Sequence, residues 1–199
     1  MTGIGRRTLA VADKRALLLD AAERVFCRVG YAHTTIAAIA AEAGVTRPTV
    51  YAYFESKDEV FHFLADRVRQ EVLRLQEEAD TSSPAGTARS TLTGLLDVFV
   101  RHHGALTVLA HQALSDPRAR RLRDDIYART NRRHARFLAR MEAAGRADLA
   151  VPAGVLAEVI MGTVSRFADL VTDTPSRQQE LARDLVALYL RLTGLDAQE

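Results

Sequence analysis

The chain has 199 residues, with 27 basic and 25 acidic side chains and a formal net charge of +2. That length can bury a real core in one compact unit or two small ones, and near-neutrality excludes a polycation that holds its partners by bulk charge. No apolar run reaches the roughly 20 residues of a membrane span, the N-terminus lacks the apolar stretch of a signal peptide, and the single cysteine, Cys27, excludes an internal disulfide, so a reducing cytoplasm is the expected setting.

Met1 to Val11 reads as a flexible arm carrying Arg6 and Arg7. A first helix is predicted from Asp13 to Gly30, where Leu18, Ala21, Ala22, Val25 and Phe26 recur at helical spacing. Up to Glu55 the chain leans basic, through Arg6, Arg7, Lys14, Arg15, Arg24, Arg28 and Arg47 against Asp13, Asp20, Glu23 and Glu42. The stretch from Thr34 to Lys57 then reads as two short helices joined by a glycine turn, with a helix-turn-helix over about residues 35–54. Thr35 caps the first of these helices, which buries Ile36, Ile39, Ala40 and Ala43 and ends at Gly44, a residue free to turn left-handed. Val45 plugs the corner, Thr46 caps the next helix, and Pro48 sits in its first turn, where a missing N–H costs little. Ala40, Gly44 and Val50 stand at the offsets where a helix-turn-helix needs a small residue, a turn and an apolar anchor.

Val50 and Phe54 define the buried side of that second helix, which leaves Arg47, Thr49, Tyr51 and Tyr53 to face outward. An arginine, a threonine and two tyrosines suit phosphate oxygens, base edges and thymine methyl groups.

Taken with Gly30-Tyr31, Thr34-Thr35, Ala43-Gly44-Val45, Thr49-Val50-Tyr51, Phe54 and Ser56-Lys57, the pattern from Ala12 to Val72 resembles the TetR-type transcriptional regulators. The resemblance implies phosphate contacts from Thr35, Tyr51, Tyr53 and Lys57, base reading by Arg47, Pro48 and Thr49, and a capping position for Thr46 beside the DNA. Ala37 and Ala38 stand where many members carry a basic or polar residue and then an acid, so no reciprocal capping box forms. The implied fold is all-α, with a three-helix DNA-binding domain over residues 12–72 and a helical-bundle domain for ligand binding and dimerisation over residues 73–199.

A long helix from Lys57 to about Ala79 follows the motif, and Thr81 to Gly86 is the clearest break in the chain. Five further helices are predicted, over about Ala85–His102, Ala105–Leu114, Pro117–Ala144, Pro152–Val171 and Ser176–Leu192. In the first of them Leu92, Leu95, Leu96, Phe99 and Val100 are expected to point inward. The helix after Pro117 carries a charged stripe, Arg129, Arg132, Arg133, Arg136 and Arg140, read as a solvated face.

Opposite that stripe lie Tyr127, Thr130, Asn131, His134, Phe137, Leu138 and Met141, a face too polar for a simple core. The same mixture recurs where His102, His103, His111 and Gln112 stand among Leu106, Val108 and Leu109. An apolar space with a few placed polar groups is what a small-molecule pocket between helices needs. The expected lining is Phe99, His102, His103, Leu106, Leu109, Gln112, Tyr127, Asn131, His134, Phe137 and Met141. No metal or other cofactor is expected, because no histidine pair stands at i, i+4 and none of His102, His103, His111 and His134 completes a Glu-x-x-His of the sort that di-iron bundles use.

The last two helices carry broad apolar stripes, and the family resemblance makes them a four-helix interface between two copies. The candidates are Val155, Val159, Val164, Phe167, Leu181, Leu185, Leu188, Tyr189 and Leu192, with Gly162 allowing close approach. The function expected from these readings is that of a homodimeric repressor, not an enzyme, that binds a palindromic duplex operator and has no membrane partner. A small apolar or amphipathic inducer would release it by shifting the Lys57–Ala79 helix. The alternative is an activator, or a regulator answering to a protein.

Overall fold

The computed structural model describes residues 3–77, 83–171 and 175–195, and of residues 3–12, 76–77 and 175 the backbone alone. Among these residues every regular element is an α-helix, as the sequence pattern predicts. In chain order they are α1 (Gly3–His33), α2 (Ile36–Glu42), α3 (Arg47–Tyr51), α4 (Lys57–Glu77), α5 (Pro84–Arg101), α6 (His103–Gln112), α7 (Pro117–Ala143), α8 (Ala153–Leu170) and α9 (Pro175–Thr193). They form two compact units, Met1–Arg67 with Gly104–Leu122, and Val68–His103 with Arg123–Glu199.

In the first unit, Leu18, Ala21, Ala22, Val25 and Phe26 of α1 are buried, the positions its periodicity marks. The helix begins at Gly3, inside the stretch read as an arm, since neither glycine nor proline interrupts the sequence from Arg6 to Val29. Its regular turns stop at Gly30, whose φ of 73° and ψ of 170° break the helix. Thr34 Oγ1 then donates to the Gly30 carbonyl at 2.7 Å. The Phe26 ring stacks on Tyr31 at 5.7 Å and meets Phe61 edge-on at 5.5 Å, which joins α1 to the start of α4. Burial, and then the hydrogen bond it donates to Asp58, push the Tyr31 phenol above its ordinary pKa.

In the second unit α5, α8 and α9 pack on one another. Their apolar stripes supply the core: Leu92, Leu95, Leu96 and Phe99 from α5, Leu156, Ile160 and Val164 from α8, and Leu181, Leu185 and Tyr189 from α9. Val98 is buried as well, whereas Val100 is half-exposed, so the inward face of α5 is rotated slightly from the expected one. Residues 81 and 82 of the break at Thr81–Gly86 lie outside the described residues, as do residues 78 and 79, where the sequence pattern puts the end of α4. Ser83 caps α5, its side chain accepting from Gly86 N at 2.9 Å. Among the described residues, no helix is long and apolar enough to cross a membrane, and no group of three or more metal-binding side chains gathers.

Candidate nucleic-acid interface and ligand cavity

The helix-turn-helix is assembled from local rules. Thr35 sits at the N-cap of α2 with extended backbone, and its hydroxyl oxygen accepts from Ala38 N at 3.1 Å. That leaves the Thr35 O–H free in geometry to donate outward. Ile36, Ile39 and Ala40 are buried while Ala43 is only half-buried. The chain turns at Gly44, with φ of +65°, and Val45 N closes the corner on the Ala40 carbonyl at 2.9 Å. A side chain at that φ would be strained, so the turn requires glycine.

Thr46 takes the N-cap place of α3, but its hydroxyl makes no capping bond to the backbone; it shares a 2.9 Å hydrogen bond with the Thr49 hydroxyl instead. Val50 and Phe54 are buried and fix the inner side of α3. On the other side Arg47 and Pro48 are exposed, and Tyr51 stands 56% exposed, a large aromatic with no apolar shelter. Thr49 and Tyr53 are half-buried. Lys57, also half-buried, donates from Nζ to the Tyr31 carbonyl at 2.9 Å and lies 4.5 Å from the centre of the Tyr31 ring. One of its three donors is spent on that anchor.

Three of the basic residues counted in this segment are committed elsewhere. Arg24 and Arg28 donate to the two oxygens of Glu42 at 2.7 and 2.9 Å, first Arg24 and then Arg28 holding that carboxyl below its usual range. They tie α2 to α1. Arg15 spreads over the Phe63 ring, its guanidinium carbon 3.7 Å from the centroid.

In the second unit a cavity of about 410 Å³ opens among α5, α7, α8 and α9. That volume lies within the roughly 300–1,000 Å³ usual for small-molecule sites. Of the expected lining residues, His134, Phe137 and Met141 line it, all on α7. The others do not, for identifiable reasons. His102 is buried with Nε2 2.8 Å from Glu71, whose carboxylate Arg101 also reaches, so it is a satisfied core histidine. His103 faces Asp169, with Nδ1 3.4 Å from its carboxylate. Phe99 is buried edge-on to Tyr127, and Asn131 is buried outside the lining. Leu106, Leu109 and Gln112 lie on α6, in the first unit.

Further lining comes from residues that the expected lining missed: Ser83 at the cap of α5, Pro84, Thr87, Ala88, Thr91, Leu92 and Leu95 on α5, Ile160 and Met161 on α8, and Thr130, Arg133, Arg140 and Arg146. A signal was present at α5, where Ser83, Thr87 and Thr91 stand at i, i+4 and i+8 beside the apolar Ala88, Leu92 and Leu95. Tyr189 also lines the cavity, its hydroxyl 2.9 Å from His134 Nε2 and its ring stacked on the imidazole. Burial pushes the Tyr189 phenol up and the His134 imidazole down to about 4, so both are neutral at neutral pH.

The interface candidates divide. Val164, Leu181, Leu185 and Tyr189 are buried within their own chain, so they cannot form a surface between two copies. Their stripe is used to pack α9 against α5 and α8. Val155 at 51% and Val159 at 47% exposed, with exposed Leu188 and half-exposed Phe167 and Leu192, remain available. Gly162 is exposed on the same helix.

Residues 18–64 match the family model described as bacterial regulatory proteins, tetR family. The chain is 37% identical over 99 residues to the HTH-type transcriptional regulator TtgR of Pseudomonas putida, covering 48% of this chain and 47% of that one. It is equally 37% identical over 98 residues to the HTH-type transcriptional repressor BepR of Brucella suis biovar 1, covering 47% of each. The chain thus spans about half the length of the curated relatives it matches. A Saccharomonospora viridis protein solved in complex with choline shares the fold, with a TM-score of 0.73 at 20% identity over 92% of this chain and 98% of that one. Residues 18–64 of this chain, which hold its helix-turn-helix, are thus similar to the tetR family of bacterial regulatory proteins.

Proposed function

We propose that the chain is a DNA-binding transcriptional repressor that works as a homodimer on a palindromic operator and is released by a small apolar or amphipathic ligand. The observation that carries this reading is the outer side of α3. Buried Val50 and Phe54 hold the helix while Arg47, Pro48 and Tyr51 project from it. Exposing a tyrosine and an arginine together suits a surface that meets phosphates and base edges. Thr35 and the unspent donors of Lys57 flank it as phosphate contacts. With overall charge near neutral, affinity must come from this local placement.

Two copies joined through Val155, Val159 and Leu188 would present two such helices to successive major grooves, roughly 34 Å apart, which implies a twofold operator. The similarity to BepR, named a transcriptional repressor, favours repression over activation. The cavity among α5, α7, α8 and α9 supports a small ligand, as does the choline complex of a protein with this fold. Such a ligand releases DNA only if it binds the DNA-fitting and spread states of the dimer unequally.

Selection of bound fragments from a randomised duplex library tests this reading. It predicts recovery of an inverted repeat, and displacement of that repeat by a ligand that occupies the cavity. Recovery of single, unpaired half-sites would refute the twofold dimer, and recovery of no sequence at all would refute DNA reading. An inverted repeat that no small molecule displaces would favour a regulator answering to a protein.

A further inference from the structure

We propose that the cavity of the second unit selects an anionic amphipath: an apolar body carrying one carboxylate-type headgroup, with the head at the arginines and the body among the helices. This rests on the reading that the cavity takes a small molecule, and it specifies which kind.

The lining is divided by chemistry. Leu92, Leu95, Ile160 and Met161 are buried and give the inner wall an aliphatic surface. His134 and Tyr189 satisfy one another and are uncharged at neutral pH, so the inner end presents no charge to a ligand. The hydroxyls of the wall are largely spent on their own helices. Ser83 accepts from Gly86 N, Thr87 donates to the Ser83 carbonyl at 2.8 Å, and Thr130 donates to the Ile126 carbonyl at 2.8 Å.

Beside the hydroxyls of Ser83 and Thr91, what remains for polar recognition is three guanidinium groups, the charged groups of the lining, those of Arg133, Arg140 and Arg146, all on exposed residues at the solvent side. Among the described residues the lining contains no aspartate or glutamate. Arg133 and Arg146 also make contacts within the chain. A guanidinium offers five N–H donors, so it can keep an existing contact and still receive a planar anion. A cation entering here would meet three like charges, and a neutral molecule could accept from these donors but would leave their charge unanswered. An anion with an apolar body uses both ends.

Isothermal titration of the full chain at neutral pH with three ten-carbon probes, each below its micelle-forming concentration, tests the proposal: decanoate, decanol and decyltrimethylammonium. Decanoate should bind at least about tenfold more tightly than decanol, the scale of one charge-assisted hydrogen bond, and the ammonium no better than decanol. Arg140→Glu should remove that advantage and leave decanol unchanged. Thr91→Trp, which fills the cavity from α5, should abolish decanoate binding, with circular dichroism verifying that both variants fold. Decyl phosphate binding as tightly as decanoate would support the anionic class and assign the head as phosphate.

Equal binding of decanoate and decanol, tighter binding of the ammonium, or decanoate binding untouched by Arg140→Glu would overturn the charge preference. In each of those cases sensitivity to Thr91→Trp would leave the cavity standing as a ligand site. If no probe gives binding that Thr91→Trp removes, the cavity reading fails and the proposal with it.

Discussion

His134 lies against Tyr189 in the cavity wall, and its loss of water holds the imidazole pKa down to about 4, against an ordinary value of 6.5. Above pH 6.5 the ring is neutral in folded and unfolded chains alike, and its titration contributes nothing to stability. Below that pH the unfolded chain takes up a proton that the folded one refuses until about pH 4. The unfolded state then binds more protons, so stability must fall as the pH falls through this window and level off beneath it. The gap corresponds to about 3 kcal/mol in full, at about 1.4 kcal/mol per pKa unit, and to about 2 kcal/mol already at pH 5. Urea unfolding of wild type and His134→Gln at several pH values between 7 and 4 isolates this contribution, since the glutamine does not titrate. The wild type should lose about 2 kcal/mol more than the variant between pH 7 and pH 5. Parallel pH profiles, or a His134 ring proton titrating near its ordinary value by NMR, would refute the reasoning.

Gly104→Ala would place a Cβ 2.0 Å from Cys27 Sγ, and overpacking of this kind costs about 1–3 kcal/mol. Thermal unfolding should show that loss, and adding Cys27→Ala should restore most of it. Thr35→Ala removes the hydroxyl that receives Ala38 N, so α2 should lose about 1 kcal/mol by denaturant titration. Val159→Glu puts a charge on an exposed apolar position of α8. It should leave helix content unchanged while weakening the proposed dimer by about 2 kcal/mol, read as a larger monomer fraction in sedimentation.

The helix-turn-helix was readable from sequence because every decision in it is local. A threonine cap, a glycine turn, a proline in the first turn and a Val50 anchor each declare themselves within a few residues. Thr46 shows the margin of such reading: it holds the cap position, yet its hydroxyl pairs with Thr49 rather than the backbone. The cavity was only half readable. The polar-apolar mixture on α7 marked His134, Phe137 and Met141, but the opposite walls on α5 and α8 depend on which helices meet, and no single-helix pattern encodes that. His102 illustrates the converse. A buried histidine among apolar neighbours suggests a pocket, but its partner Glu71 stands 31 residues earlier and satisfies it. An apolar stripe, finally, does not say what it packs against. Leu181, Leu185 and Tyr189 on α9 serve the chain's own core, while Val155 and Val159 on α8 stay exposed.

The most direct test of the DNA-reading surface is the anisotropy of labelled duplex from the chain's own upstream region, titrated at low salt with wild type, Tyr51→Ala and Arg47→Ala. Wild type should bind. Tyr51→Ala should bind every sequence about tenfold more weakly, as a lost phosphate contact requires, and Arg47→Ala should relax preference at a single base position. Wild-type protein that ignores every duplex, or variants that bind as wild type does, would contradict the assignment of α3 to the DNA groove.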